Sequence, residues 1–318
     1  RVLPLLGIVL VAGGLFLLTS VAFLWFEPGP APYHYRLVEE GGVDKFPKLE
    51  LGPWSDLSIS KQEVHIEGME EPVASAYLAR RGNTKPVMLA WENHVGEPMV
   101  FVDSKLSELS ILASVIAKNM PKDATILTWW DTSRQIQILT GSETVFTSHL
   151  SEPLITPMPW RPRTEAIVKY ERDFWGSAPS EEEKRKFQRF ADALLAEPTE
   201  GAAMLRELTG GREGYVVVHI SDLYKLGMMR PDGIGVAYKD FTVKGSGDVH
   251  GLNVMVKRWQ ADNKFTSHTV HGLSETNVRA YFLTDDKSVK TLLAQMLPMT
   301  TSLILEFKPL QMVYKEGG

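Results

Sequence analysis

Two apolar segments, ATILTW at Ala124–Trp129 and YVVVHI at Tyr215–Ile220, decide the fold of this 318-residue chain. The second segment is apolar at nearly every position, which is typical of a strand buried on both faces, as in parallel sheets. Helical patterns fill the chain between the two segments, and such a long connection can carry the crossover that parallel strands require. We therefore expect the two segments to be parallel strands of one sheet, covered by the helices between them.

The flanking sequence predicts both helices and antiparallel strands. Apolar residues recur at helical spacing from Leu106 to Ile116, and Ser180-x-x-Glu183 has the pattern of a capping box at a helix start. Short strand-like runs between residues 57 and 102 are punctuated by Gly and Asn. The predicted fold class is therefore α/β, with a mixed sheet and added antiparallel strands. The predicted divisions are an anchor at 1–26, a linker at 27–56, an antiparallel strand region at 57–102 and an α/β domain at 103–318.

The N-terminal segment is predicted to be a single transmembrane helix. From Val2 to Phe26 the chain carries no charged residue, and roughly 20 helical residues are enough to cross a bilayer core. A cleaved signal peptide is the alternative, but its apolar core is shorter and ends at small residues, whereas this run ends at Leu24-Trp25-Phe26. Arg1 on one side and Glu27 on the other favour a cytoplasmic N-terminus. We expect a single-pass protein of the inner membrane, in contact with the lipid bilayer, whose soluble domain lies in the periplasm.

Composition excludes several classes of function. The net charge is −5, so nucleic acid is not an expected partner. The chain has no cysteine, which excludes disulfides, thiolate metal sites, covalent c-type haem and cysteine-ligated iron–sulfur clusters. No cofactor is predicted, and any electron transfer is expected to belong to a partner.

The first candidate site follows the first strand, where Trp129, Trp130 and Asp131 precede a predicted helix. Arg134 lies in the first turn of that helix. Ligands of open α/β sheets bind beyond the carboxyl ends of the strands, and two adjacent indoles offer flat walls with N–H donors. Because successive residues of an extended chain point to opposite sides, one tryptophan is expected to face the core and the other the surface. The alternative is architectural: Asp131 caps the helix and both indoles pack in the core.

The second candidate follows the other strand, where His219 and Asp222 stand at its carboxyl end. If the strands are neighbours, both residues share one edge with Asp131, and an imidazole beside carboxylates could act as a base or a ligand. A core histidine with a helix-capping carboxylate is the competing interpretation. We call the six residues of the two candidates the rim: Trp129, Trp130, Asp131, Arg134, His219 and Asp222.

A metal site is not predicted from spacing. His268 and His271 lie on a predicted strand and face opposite sides of it, so they cannot hold one ion together while that strand is regular. His250 could join one of them only through a loop. Motifs of known metalloenzymes and nucleotide-binding loops are missing from the sequence.

Three stretches resemble one known family: DATILTWWDTSRQIQILTGSETVFTSHL at 123–150, GYVVVHISDLYKLG at 214–227 and PDGIGVAYKDF at 231–241. They are similar to hydroxylamine oxidation protein B, a membrane protein encoded beside hydroxylamine oxidoreductase in ammonia-oxidising and some methane-oxidising bacteria. The resemblance covers most of the chain. It implies a role in nitrification, a periplasmic domain and association with hydroxylamine oxidoreductase or another protein of that pathway. It supplies no catalytic residues.

A more distant resemblance concerns Trp129-Trp130-Asp131, which is similar to the W-W-D motif in the soluble domain of oligosaccharyltransferase catalytic subunits. The Phe307-x-x-Leu310-x-Met-Val-Tyr314 ending also resembles such domains. In that family the motif helps to bind the hydroxyl residue of the acceptor. Thr132 stands here where the family usually has Tyr, and the catalytic membrane half is missing, so glycosyl transfer is not expected.

Two hypotheses about function follow. The first is a membrane-anchored accessory protein, more a binding protein than an enzyme, that tethers or helps assemble the hydroxylamine oxidation machinery. The second is a small-ligand or peptide-binding domain, or an enzyme, that uses the Trp129, Asp131 and His219 part of the rim.

Overall fold

A computed structural model describes residues 13–17, 19, 29–95, 105–121, 123–176, 179–243, 249–274 and 276–300. The strands are β1 Tyr33–Gly42, β2 Leu57–Ile66, β3 Ala74–Arg81, β4 Val87–Asn93, β5 Thr125–Leu127, β6 Glu143–Thr144, β7 Gly214–Val216, β8 Val236–Thr242, β9 Ser267–Gly272 and β10 Asn277–Leu283. The helices are α1 Leu106–Asn119, α2 Trp130–Thr140, α3 Thr164–Trp175, α4 Glu181–Leu195, α5 Pro198–Leu208, α6 Asp222–Met229, α7 Val249–Asp262, α8 Asp286–Val289 and α9 Leu292–Met296.

The segments Ala124–Trp129 and Tyr215–Ile220 contain parallel strands of one sheet, as predicted, and these strands are also neighbours. β5 pairs in parallel with β7, with Leu127 opposite Val216, and β6 pairs in parallel with the other side of β5. Both strands are shorter than expected, because β5 gives way to α2 after Thr128 and the chain after β7 turns towards α6. Two further bonds extend the pairing of β5 and β7: the Val217 amide donates to the Leu127 carbonyl at 2.9 Å, and the Thr125 amide donates to the Glu213 carbonyl at 3.2 Å.

The predicted mixed sheet is replaced by separate sheets. In the described part of the chain, β6-β5-β7 form a parallel sheet, whereas β1-β2-β3-β4 and β8-β10-β9 form two antiparallel sheets. Each antiparallel sheet forms its ladders among its own strands, with β1 to β4 in chain order in one and β10 between β8 and β9 in the other, so it does not need the edge of the parallel sheet to satisfy its backbone. The fold is therefore α/β, with the antiparallel strands set apart from the parallel core.

The predicted linker at 27–56 contains β1, a strand of ten residues, which corrects the prediction of irregular chain there. β1 is the edge strand of the four-stranded sheet and pairs antiparallel with β2 from Tyr33 opposite Ile66 to Gly42 opposite Ser58. Most of its side chains are exposed, so the strand lacks the alternation of a half-buried sequence. Its proline-rich and glycine-rich surroundings also favoured irregular chain.

An aromatic cluster ties β1 to α3. Glu171, 6 % exposed, accepts hydrogen bonds from the Tyr33 hydroxyl at 2.6 Å, the Tyr35 hydroxyl at 3.2 Å and the Trp175 indole at 2.7 Å. Burial, and then the nearby Glu171, raise the pKa of Tyr33 well above its ordinary range. The phenol therefore keeps its proton and stays a donor. A buried carboxylate with this number of donors is a stable structural element.

The three largest apolar clusters of the described residues connect the sheets to the helices. The largest joins the end of β5 to α4, α5, α6 and α9, the second packs the four-stranded sheet on α1 and α2, and the third packs α7 on the C-terminal sheet. The capping box at α4 is half confirmed. Ser180 accepts from the Glu183 amide at 3.1 Å, whereas the Glu183 carboxylate accepts from the amides of Thr147 and Ser148, each at 2.9 Å.

In the described part of the chain, no helix is both long enough and apolar enough to cross a bilayer. The predicted Val2–Phe26 helix lies outside the described residues except for 13–17 and 19, which are helical. The predicted terminal hairpin at 302–314 also lies outside them. Both stay predictions.

Candidate functional site

The carboxyl ends of β5 and β7 bring three rim residues together, as the sequence predicted. Lys225 of α6 connects them, because its Nζ lies 3.3 Å from Asp131 Oδ2 and 3.5 Å from Asp222 Oδ1. Asp222 also accepts a hydrogen bond from the His219 amide, at 2.8 Å. Asp131, His219 and Asp222 therefore lie at one edge of the parallel sheet, with a lysine between the two carboxylates.

The two acidic rim residues have different surroundings. Asp222 is 2 % exposed, and burial raises its pKa, although Lys225 and the His219 amide act against that shift. Asp131 is half-buried in the first turn of α2, and its Oδ1 accepts from the Thr132 amide at 2.6 Å. A carboxylate there also interacts favourably with the helix dipole. Asp131 does not cap α2 as the architectural alternative expected: it accepts from the Thr132 amide within the first turn, and the N-cap position is Trp129.

The two tryptophans are both buried, so the expectation that one of them faces the surface is wrong. Trp129 is 1 % exposed and Trp130 is 9 % exposed. Both indole nitrogens donate to the Glu152 carbonyl, at 3.1 Å and 2.5 Å. The strand ends before Trp129 and α2 begins at Trp130. The two residues are therefore not in an extended chain, and their side chains need not point to opposite sides. The indoles anchor the loop that contains Glu152.

Arg134 points away from the rim surface. It is 5 % exposed, donates from Nη2 to the Pro86 carbonyl at 2.6 Å and lies 5.9 Å from the centre of the Trp175 ring. Burial lowers the pKa of Arg134 to about 10, although the charges of Asp131 and Glu183 oppose the shift. These contacts join α2 to the start of β4. Ligand binding by the six rim residues stays a prediction.

His219 meets a carboxylate and a second imidazole from distant elements. His219 Nε2 lies 3.5 Å from Glu108 Oε2, and His271 Nε2 lies 3.5 Å from Glu108 Oε1. The two rings meet edge to face, with centroids 5.0 Å apart. One potential ligand atom of each residue lies within 4.8 Å of the other two. We call Glu108, His219 and His271 the triad.

Three elements position the triad. Glu108 occupies the first turn of α1, His219 follows β7, and His271 lies in β9. Lys105, the N-cap residue of α1, donates from Nζ to the Gly272 carbonyl at 2.6 Å, so α1 and β9 are joined beside Glu108. On the other side, His219 Nδ1 is in hydrogen-bond contact with Ser221 Oγ at 2.7 Å. The positions of Glu108 and His219 are therefore fixed by their neighbours.

Glu108 is ionised in this setting. Burial acts to raise its pKa, but the neighbouring imidazoles of His219 and His271 outweigh burial and hold that pKa well below its ordinary range. The side chains of Glu108 and His219 are 23 % and 28 % exposed, whereas that of His271 is 8 % exposed. The triad thus combines a carboxylate and two imidazoles in a partly buried position with one side open to solvent.

The predicted opposition of His268 and His271 is confirmed. His271 faces Glu108, whereas His268 Nδ1 contacts Gln260 Oε1 at 2.6 Å. His250 is in the first turn of α7, exposed, and is not part of the triad.

Sequence reasoning placed His219 in a candidate site but missed its partners. Glu108 was not singled out from the sequence, and His271 was considered only with His268 and His250. The three residues share no local spacing, and only the packing of α1 and β9 against the end of β7 brings them together. A pattern of residue spacing therefore had no signal from which to find the triad.

The fold and these residues define a mixed α/β domain with a histidine–carboxylate cluster at the carboxyl edge of a short parallel sheet. The family model of the HaoA-associated protein HaoB matches residues 1–318, and the chain belongs to that family. The resemblance to hydroxylamine oxidation protein B is thereby confirmed. No curated protein matches the chain. The resemblance to oligosaccharyltransferases stays a prediction.

Proposed function

We propose that this chain is a membrane-anchored periplasmic accessory protein that tethers or helps assemble the hydroxylamine oxidation machinery, with hydroxylamine oxidoreductase (HaoA) as its partner. The observation that carries the proposal is the match of the whole chain, residues 1–318, to a family described as HaoA-associated. A protein that associates with an oxidoreductase is expected to help assemble that enzyme, to fix its location, or to help it deliver electrons.

Two features of the sequence support this role. The uncharged run from Val2 to Phe26 is long enough for a bilayer-spanning helix, and it would hold the folded domain at the membrane surface. The absence of cysteine denies the chain covalent c-type haem. Haem-based electron transfer would then belong to the partner, and the contribution of this chain would be binding and placement.

Co-purification from native membranes tests the association. The tagged full-length chain is expected to enrich hydroxylamine oxidoreductase after mild crosslinking, compared with an unrelated tagged single-pass protein from the same membranes. Equal recovery with both baits would contradict the proposal. Alkaline carbonate extraction tests the anchor separately, since an integral protein stays in the membrane pellet and a peripheral one is released.

The rim is the second candidate for recognition, and Asp131 is the residue that tests it. Asp131→Asn keeps an oxygen that can accept from the Thr132 amide while removing the charge that faces Lys225. If the rim binds the partner, this variant should reduce the recovery of hydroxylamine oxidoreductase, whereas the exposed Asp173→Asn in α3 should not. Unchanged recovery with both variants would leave these rim contacts with an architectural role only.

A further inference from the structure

We propose that Glu108, His219 and His271 bind one divalent transition-metal ion, with one or more coordination positions left to solvent. The donor set is one carboxylate oxygen and two imidazole nitrogens. Sites of this kind hold zinc, or ferrous iron, through three protein ligands and keep open positions for water or substrate. This inference is independent of the proposed accessory role.

The distances favour an ion over a simple hydrogen-bonded pair. Each imidazole nitrogen lies 3.5 Å from its carboxylate oxygen, which is longer than the roughly 2.7–3.2 Å of an N–H···O hydrogen bond. Two donor atoms at about 2.0–2.2 Å from one tetrahedral ion are about 3.3–3.6 Å apart. The two measured distances end on different oxygens of Glu108, so an ion would be held by both carboxylate oxygens, or by one of them after the carboxylate turns.

His271 supplies an independent observation. Its side chain is buried, 8 % exposed, and neither ring nitrogen has a hydrogen-bond partner among the described residues. Buried polar atoms are nearly always paired, and an exception calls for an explanation such as a bound ion. A metal at Nε2 would satisfy the nitrogen that faces Glu108.

Ser221 already holds one of the proposed ligands. Its Oγ lies 2.7 Å from His219 Nδ1 and can accept the Nδ1 proton when Nε2 coordinates an ion, a state in which the Ser221 amide, 3.3 Å from the same nitrogen, no longer donates to it. Metal-binding histidines commonly use the other ring nitrogen in this way, which fixes the tautomer and the ring orientation. The ionised Glu108 supplies negative charge, and one solvent-facing side leaves room for water as a further ligand.

Cobalt binding tests the proposal on the full-length chain, purified in detergent without a histidine tag and stripped with a chelator. We expect one Co²⁺ per chain, visible d–d absorption bands and displacement of the cobalt by Zn²⁺. Glu108→Gln and His271→Gln should each weaken the affinity by more than about 100-fold, because loss of a ligand exceeds the 10–100-fold effect of losing an outer-shell partner. Circular dichroism of both variants would show whether they are folded.

His65→Gln is the matched control, since His65 also lies beside a glutamate, with Nε2 3.1 Å from Glu63 Oε2, but outside the triad. This variant should bind Co²⁺ as the parent chain does. Equal loss in His65→Gln, or full binding in both triad variants, would overturn the proposal.

X-ray absorption of the zinc-loaded parent chain tests the ligand set without any substitution. Two imidazole nitrogens with oxygen ligands at about 2.0–2.2 Å are expected. A first shell with any other number of imidazoles, or failure of the parent chain to hold a stoichiometric ion, would refute the assignment.

Discussion

Glu171 in α3 is a buried carboxylate and Glu108 in α1 is a partly buried one, and the two differ in the side chains that face them. Glu171 accepts three hydrogen bonds, from the hydroxyls of Tyr33 and Tyr35 and from the Trp175 indole, at 2.6–3.2 Å. Glu108 faces two imidazole nitrogens, each at 3.5 Å. The first carboxylate is enclosed by short hydrogen bonds. The second is separated from each imidazole nitrogen by the spacing that two ligand atoms of one metal ion have.

The chemistry of the neighbours explains the difference. An indole N–H can only donate, and a phenol whose pKa is raised keeps its proton. The neighbours of Glu171 thus point hydrogens at it and offer a cation no coordinating nitrogen. An imidazole can instead turn a lone pair towards a metal. Burial of a carboxylate alone therefore does not identify a functional site, whereas the acceptor capacity of its neighbours does.

The largest expected effect is on stability, from Glu171→Ala. The substitution leaves two hydroxyls and one indole N–H without their acceptor, at about 1–3 kcal/mol for each buried unpaired group. We expect the free energy of unfolding to fall by about 3–5 kcal/mol, measured by urea denaturation. The exposed Asp173→Ala in the same helix should change it by less than about 0.5 kcal/mol. A loss as small as that of the control would show that the enclosed carboxylate contributes little.

The next largest expected effect is stabilisation by zinc, which should depend on Glu108 and not on Glu171. At a free concentration of 100 times the dissociation constant, a ligand that binds only the folded state stabilises it by about 2.7 kcal/mol. We expect this gain in the parent chain, measured by denaturation with and without Zn²⁺. In Glu108→Gln, whose affinity should be at least about 100-fold weaker, we expect a gain of about 0.4 kcal/mol or less. The Asp173→Ala variant should keep the full gain. A zinc effect of equal size in the Glu108 variant would remove the distinction.

Ser221→Ala should have a smaller effect, confined to the triad. Removing the hydroxyl that contacts His219 Nδ1 is expected to weaken metal affinity by about tenfold, or about 1.4 kcal/mol. Isothermal titration calorimetry with Zn²⁺ would measure it. Ser148→Ala, which removes a hydroxyl outside the triad, should leave the affinity unchanged. An unaltered affinity in Ser221→Ala would mean that this contact does not orient the ring.

The smallest effect concerns acid. The pKa of Glu108 is lower in the folded state than in the unfolded state, where a glutamate titrates near about 4.3. Its contribution to stability is therefore fully present above that pH and is lost as the pH falls towards the folded pKa. In the absence of metal, the difference in unfolding free energy between the parent chain and Glu108→Gln should shrink as the pH falls below about 4. A difference that grows on acidification would mean that the sign of the shift is wrong.

The parallel core of the fold could be predicted from the sequence, and the triad could not. The buried composition of Tyr215–Ile220 and the helical spacing before it were sufficient to predict that β5 and β7 are parallel strands of one sheet, although not that they are neighbours. That prediction also placed His219, Asp222 and Asp131 at one edge. β1 escaped prediction because an edge strand with exposed side chains lacks alternation. Glu108 and His271 escaped because their meeting depends on how α1 and β9 pack, which no local pattern records.

The hydrogen bond from Lys105 to the Gly272 carbonyl joins positions that are 167 residues apart in the chain. Glu108 and His271 lie beside its two ends, so their approach requires almost the whole described domain to be assembled. An unfolded chain would have to close a very long loop before these residues could meet, at an entropic cost that grows with loop length. Occupancy of the triad by a metal ion would consequently report that assembly is complete, and newly made chains could be sorted into finished and unfinished molecules by their cobalt spectrum alone.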